Sequence, residues 1–410
     1  MKFDLVFEGG GAKGMVFVGA LEVFENEGAE FDRLLGTSAG AISATFLAAG
    51  YKSQEMQEAL GETENGKPVF AQFLGMPQPF KEEDIRDSAI RAFLESIDLP
   101  FVPEFIEKKL DERIVHALAT WPRFRHLFSF IERGGWYAAD AFLAWMQRKL
   151  DEGDYERQRD DGSVEVKPRR FSTMTLEELY QATGRELALV VSDLTAERML
   201  VLNHHTAPQC PVVWATRMSM SVPLLWQEVV WQPEWGTYQG KDISSHVIVD
   251  GGLLSNFPIE LFVSNEKRIT DVMGPRRSER VLGFLIDESL LVEGAPKRAD
   301  RIEAFNLAQL RTVQRIHQLL NTATMAHDKA VIEAFEEMVV RLPAKGYGTT
   351  EFDMSVARQQ ALLAAGRREM QRYFTEHPPL ALPDAVSFGI PSTDEATSIA
   401  NRRAMKILDW

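Results

Sequence analysis

The apolar positions at the start of the chain alternate between two periods. Phe3 to Phe7 is a short, mostly apolar run ending in glycines, the pattern of a buried strand feeding a loop. From Met15 to Glu27 the spacing lengthens. Phe17, Ala20, Leu21 and Phe24 share one helical face, and Gly28 stands where a helix ends in the left-handed conformation. Phe31 to Leu35 reads as a second strand broken at Gly36, and Ala39 to Ala49 as a helix of small residues closing at Gly50. Strand, helix, strand, helix in such short succession predicts a parallel sheet covered by helices.

Beyond Gly50 the pattern changes. From about Tyr51 to Leu150 it is mainly helical, with aromatics gathered between Trp121 and Trp145. Core packing is the expectation for those aromatics, with a lipid-facing cap as the functional alternative. About residues 151–170 are almost purely charged and polar, as in a solvated loop or hairpin. Leu187–Val191 and Met199–Leu202 read as strands around a turn near Asp193. His246–Val249 is a strand ending at Asp250, and Val281–Ile286 is another. A long helical pattern runs from Asp300 to about Met338 and a final helix covers Ser355–Phe374. The proline-punctuated tail after His377 is expected on the surface. The predicted organisation is an α/β unit over residues 1–300, holding the helical insert (about 51–150) and the charged loop (about 151–170). A mainly helical C-terminal region, 301–410, packs on it.

Composition narrows the function classes. The chain has 410 residues, 45% of them hydrophobic and 26% charged, so a core of this size needs no disulfide or metal staple. The net charge of −15 argues against a nucleic-acid binder, whose affinity would come from neutralising phosphates. The single cysteine, Cys210, excludes an internal disulfide framework and a multi-cysteine zinc site, and fits a reducing cytoplasm. Asp4 and Glu8 interrupt the first apolar run, so no secretory leader is expected. No apolar run approaches the roughly 18–20 residues that span a bilayer. A membrane, if met, is met from the aqueous side.

Two glycine turns carry the chemistry. Gly9-Gly10-Gly11-Ala12-Lys13-Gly14, between strand and helix, satisfies G-x-G-x-x-G, with Asp32 about twenty residues on, which by itself suggests a dinucleotide site. It does not fit the phosphate loop of nucleotide triphosphatases, since Lys13 precedes Gly14 and no Ser or Thr follows. The physics common to these readings is a bare backbone whose N–H groups converge on an oxygen anion. Gly36-Thr37-Ser38-Ala39-Gly40 is G-x-S-x-G at the second strand-to-helix turn, with Gly36 and Gly40 supplying the small flanks that such an elbow needs. A dinucleotide reading gives this turn no task. A serine-hydrolase reading uses both: Ser38 attacks and the first turn holds the oxyanion. The base that Ser38 needs is better sought in Asp250-Gly251-Gly252, directly after a strand, than in His204, His205 or His246.

In the order 9–14, 36–40 and 250–252, these blocks resemble the signature blocks of patatin-like phospholipases. The stretch Val249–Ile259 is similar to bacterial members throughout, and Ser219–Leu225 and Gly346–Asp353 resemble further segments of the family. The resemblance implies a three-layer α/β/α fold with a mainly parallel central sheet, a helical cap or insert and C-terminal helices. It implies a Ser38–Asp250 dyad acting on acyl lipids, with Gly10 and Gly11, and Gly9 beside them, as oxyanion donors. Gly36, Gly40, Gly14, Gly251 and Gly252 would shape the elbow and loops. Lys13 stands where the family usually carries arginine; it keeps the charge but loses the planar fork of donors, a difference that matters if the residue contacts a phosphate headgroup. No metal and no cofactor is required. The expected activity is cleavage of fatty-acyl esters of phospholipids or lysophospholipids by a cytoplasmic enzyme peripheral at membranes. Trp226, Trp231 and Trp235 could line an acyl channel or make a membrane contact, or equally be ordinary packing with Trp226 and Trp231 buried. Alternatives are a triacylglycerol lipase, thioesterase or transacylase with the same dyad, a latent phospholipase activated by a partner or nucleotide signal, and, more distantly, a dinucleotide-binding oxidoreductase.

Overall fold

The computed structural model describes residues 2–95, 113–117, 119–158, 162–275, 280–297, 334–377 and 394–409. The helix expected from Asp300 to about Met338 lies mostly outside the described residues. Strand β1 (Lys2–Phe7) sits at the middle of the main sheet, and its inner residues are all buried. Parallel partners flank it, β2 (Glu30–Thr37) on one side and β13 (Val281–Leu291) on the other. β14 (Val339–Lys345) extends the sheet beyond β13, and β8 (Glu186–Asp193) lies beyond β2, both parallel. β9 (Arg198–Leu202) and β12 (Val247–Asp250) pair with β8 antiparallel, and β11 (Val229–Val230) with β12 likewise. The sheet is therefore mixed, with five strands parallel. β3 (Thr63–Glu64) with β4 (Lys67–Pro68) and β6 (Asp154–Gln158) with β7 (Val164–Pro168) form small antiparallel pairs, and β5 (Gly135–Tyr137) with β10 (Leu224–Trp226) a parallel one. The charged stretch expected as a loop or hairpin is the β6–β7 hairpin.

The two-residue period of the strands sorts their side chains into two cores. Leu5, Phe7, Leu34, Leu187, Leu189 and Phe284 enter one. Val6, Leu35, Ala188, Val190, Val281 and Leu285 enter the other. The first is covered by α1 (Met15–Asn26), α2 (Ala39–Ala48), the insert and the helix Val356–Glu376. The second is covered by the helices Glu260–Val263, Lys267–Met273 and Asp394–Asp409, the last through Ala400, Ala404 and Leu408. This is a three-layer α/β/α architecture. The tail expected to wrap the surface after His377 thus ends in a helix that closes one core. Residues 339–376, read from sequence as part of a helical C-terminal region, add an edge strand to the sheet and a helix that packs closely on α1. A Cβ at Gly366 would lie 2.1 Å from the Val16 carbonyl oxygen, so only glycine permits that approach.

Candidate active site

The pairing of β8 brings two chain ends together. Leu189 and Val190 pair with Gly36 and Thr37 of β2 and also with Leu202 and Val201 of β9. Val191 to Asp193 pair with β9 and also with β12, where Asp250 stands opposite Val191. Since β9 runs along one edge throughout, β2 and β12 share the other edge and meet end to end. Ser38 follows Thr37 as Asp250 closes β12. The strand that Asp250 directly follows in the sequence reading is antiparallel to β8, and it stops one rung from the elbow.

Ser38 has φ 53 and ψ −119, a left-handed conformation unusual for a non-glycine residue, at the N-cap of α2. Its N–H donates to Ser219 Oγ at 3.1 Å, and that hydroxyl donates to the Val190 carbonyl at 2.7 Å. Tight packing demands the flanking glycine: a Cβ on Gly40 would lie 2.2 Å from the Phe7 carbonyl oxygen. Every residue of α2 is buried, so the elbow rests on an immobile support.

Asp250 is buried. Its Oδ1 accepts the Gly252 N–H at 2.8 Å, and its own N–H donates to the Ser221 carbonyl at 3.0 Å. Burial pushes the Asp250 carboxyl up to about 7, against hydrogen bonding from the Ser38 hydroxyl and the Gly252 amide, which pull it down. Oδ2 is buried without a hydrogen bond of full donor–acceptor geometry. The Ser38 hydroxyl is close enough to act electrostatically on the Asp250 carboxyl.

The first glycine turn closes over this pair. A Cβ on Gly9 would lie 3.0 Å from Ser38 Cβ. The Gly9 N–H donates to the Asn256 carbonyl at 3.2 Å, while no acceptor among the described residues engages the Gly10 or Gly11 amides. Gly11 has φ +55. Of the three predicted donors, two are unengaged and the third is held by Asn256. Asn256 Nδ2 also donates to the Gly9 carbonyl at 2.9 Å and to Glu8 at 3.2 Å. Ser219 and Asn256 brace the site, and no motif singled either out, although both lie in segments that resemble the family.

Lys13 is buried. Its ammonium pairs with Glu288 and donates to Thr349 Oγ1 at 3.1 Å, and the Ala12 N–H donates to the Thr349 carbonyl at 2.9 Å. The Lys13 charge therefore fastens the glycine turn to β13 and to the 346–353 segment. Gly14 packs on α2, where a Cβ would meet Ala39 Cβ at 3.6 Å, and Gly251 packs on the Val190 carbonyl.

Ser38 lines an apolar cavity with Ile42, Phe70, Phe73, Val222, Leu225, Trp226 and Phe352. Phe70 and Phe73 come from the insert. A second cavity shares Gly11, Ala39, Ile42, Phe70 and Phe352 with it. Trp226 is buried in the wall, its indole N–H on the Phe73 carbonyl at 3.0 Å and its ring edge-on to Phe352. Trp231 and Trp235 are buried against each other and reach neither the surface nor this cavity. Of the alternatives for the tryptophan group, packing holds for Trp231 and Trp235 and the cavity wall for Trp226, while the membrane contact is corrected.

The remaining sequence candidates lie elsewhere. His246 is bound to Asp193 at 2.8 Å, and His204 stacks on Tyr180. Glu186, His204 and His205 bring three potential metal-ligand atoms within 4.8 Å of one another, at the far end of β8 from Ser38. Asp32 sits near the start of β2 in contact with Lys2, whereas a ribose-binding acid belongs at the strand end nearest the glycine turn. That placement removes the dinucleotide reading. Among the described residues no helix is long and apolar enough to cross a membrane.

The glycine turn, the serine elbow and the aspartate turn thus meet on one side of a three-layer α/β/α fold. The patatin-like phospholipase family model matches residues 5–263, well over half of the chain, and the chain belongs to that family. It is 28% identical over 388 residues to the uncharacterized protein YqhO of Bacillus subtilis (strain 168), which covers 92% of this chain and 99% of YqhO. Among solved structures it is similar to VipD from Legionella pneumophila (15% identity, TM-score 0.43, 92% of this chain and 67% of VipD). It is also similar to the type III effector ExoU (15% identity, TM-score 0.37, 99% of this chain and 60% of ExoU), which is also solved in complex with SpcU from Pseudomonas aeruginosa. At these scores the structural likenesses carry no functional argument.

Proposed function

We propose that the protein is a serine hydrolase that releases fatty acids from phospholipids or lysophospholipids, with Ser38 as nucleophile and Asp250 as base. One observation carries this reading: Ser38, held in a left-handed elbow and in contact with a buried carboxylate, opens into an apolar cavity of acyl-chain character. Asp250 accepts the Ser38 proton as Oγ attacks the ester carbonyl. The Gly10 and Gly11 amides, unengaged by the protein and next to the elbow, take up the charge on the tetrahedral oxygen. Each such donor is worth about 3–4 kcal/mol in comparable sites. The alcohol leaves with the proton from Asp250, and water, activated by the same carboxylate, releases the fatty acid from the acyl-enzyme. A carboxyl near 7 is a far better base at neutral pH than an ordinary aspartate near 4. Phe70, Phe73, Leu225, Trp226 and Phe352 receive the acyl chain. The lone cysteine supports a cytoplasmic enzyme that visits its lipid from the aqueous side.

Incubating the wild type and Ser38→Ala with mixed phospholipid vesicles, and identifying released species by mass spectrometry, tests this. Free fatty acid and lysolipid should appear only with the wild type; equal release by both removes Ser38 from the chemistry. Triacylglycerol lipase, thioesterase and transacylase activities would use the same groups. Assays on those substrates, with and without an acceptor alcohol, separate them.

A further inference from the structure

Half of the exposed large apolar side chains among the described residues gather in one place. Met76, Ile114, Trp121, Phe124, Leu127 and Ile131 lie on or beside the helix Pro122–Glu132, and Trp121, at 59% exposure, stacks on Phe124. Phe128 anchors this helix, fully buried against Phe80. The segment 113–133 is also basic within an acidic chain, with Arg113, Arg123, Arg125 and Arg133 against Glu132 alone. Glu132 is turned inward, accepting the N–H groups of Ala89 and Ile90 at 3.0 and 2.8 Å. Arg133 is paired with Asp84 of the helix Glu82–Arg86. Arg125 donates to the Pro77 carbonyl at 3.0 Å and to Met76 Sδ, which sets a guanidinium among the exposed apolar groups.

The patch shares a frame with the cavity wall. Ser129 Oγ donates to the Gly135 carbonyl at 2.6 Å and accepts from Gln227 Nε2 at 2.8 Å. Gly135 belongs to β5, which pairs with β10, the strand carrying Leu225 and Trp226. Met76 follows the cavity residue Phe73 by three positions. From this continuity, and from aromatics mixed with arginines, we infer that the helix Pro122–Glu132 docks on the surface of a bilayer containing anionic lipid. Trp121 and Phe124 enter the headgroup boundary, and Arg113 and Arg125 face the phosphates. The docking rests on the hydrolase reading above for its purpose, since it sets the cavity wall against the lipid. It also answers how a chain of net charge −15 is held on such a surface.

Co-sedimentation with vesicles of phosphatidylcholine, alone and mixed with phosphatidylglycerol, tests the inference on wild type, Ser38→Ala and the double variant Trp121→Ser with Phe124→Ser. Wild type and Ser38→Ala should sediment with the mixed vesicles. The double variant should partition about tenfold more weakly or worse, while hydrolysing a soluble short-chain ester at the wild-type rate. Should the double variant lose soluble-ester hydrolysis as well, Ile131→Ser takes its place and must show the same selective loss. Binding of the double variant equal to wild type overturns the inference. So does absence of wild-type binding to either vesicle. A wild-type dimer dissolved by the double variant would make the patch an interface between copies of the chain, and overturns it too. Vesicle binding without any ester hydrolysis leaves the docking intact and removes the hydrolase reading instead.

Discussion

Replacing Asp250 with asparagine should abolish ester hydrolysis and yet stabilise the protein above neutral pH. The Asp250 carboxyl is buried, and burial raises its pKa from 3.8 to about 7. Between these values the folded chain holds a proton that the unfolded chain releases. The stability that this proton contributes is therefore fully present below about pH 4 and lost as pH rises through 7. Above 7 the folded state carries a buried carboxylate, and the full difference of about three units corresponds to an upper bound of roughly 4 kcal/mol. Asparagine keeps an acceptor for the Gly252 amide, which now bonds Oδ1 at 2.8 Å, and is never charged. The variant should melt several degrees above wild type at pH 8, with the gap closing by pH 4.

The assay is a pair of measurements over pH 4.5 to 8.5. Thermal melts give the stability difference, and hydrolysis of a soluble acyl ester by the wild type gives kcat/KM. The base must be ionised to work, so wild-type kcat/KM should fall about tenfold per pH unit below 7. A melting-temperature gap that is the same at pH 4.5 and pH 8.5 would refute the buried-carboxyl argument. So would a wild-type rate that stays level down to pH 5.

Other substitutions probe the supports of the site. Ser219→Ala removes the acceptor for the Ser38 N–H; it should cost about 1–3 kcal/mol in denaturant unfolding and lower kcat about ten- to a hundredfold with KM little changed. Lys13→Met should lower both melting temperature and kcat. Lys13→Arg should leave the rate ratio between phosphatidylcholine and phosphatidylglycerol substrates unchanged, because the charge at this position is spent on Glu288 and Thr349. Gly366→Val drives a side chain into the Val16 carbonyl and should destabilise by about 1–3 kcal/mol or more in the same unfolding assay.

The two glycine turns and the aspartate turn were legible because each needs unusual backbone, and unusual backbone restricts the residues that can build it. The alternating strands β1, β2, β8, β9 and β13 were legible by their apolar runs. β14 was not: Val339–Lys345 contains Pro343, which breaks the strand signal yet suits a sheet edge where one N–H side has no neighbour among the described residues. The reversed direction of β12 was hidden as well, since a four-residue strand looks alike in either sense and only pairing with β8 decides it. The braces Ser219 and Asn256 act through contacts nearly two hundred residues or more away in sequence, which no local pattern encodes. The apolar patch at Trp121–Ile131 was visible as aromatics, but sequence could not say which of them the core would claim. Phe128, Phe142 and Trp145 are buried, while Trp121 and Phe124 are left outside.

The central claim is that Ser38 is the nucleophile and Asp250 its base. Treating the protein with a serine-directed alkyl fluorophosphonate and mapping the adduct by peptide mass spectrometry tests it most directly. One adduct on Ser38 is predicted for the wild type, formed much more slowly in Asp250→Asn and absent from Ser38→Ala. An adduct on another serine, or unchanged labelling of Ser38 in Asp250→Asn, would contradict it.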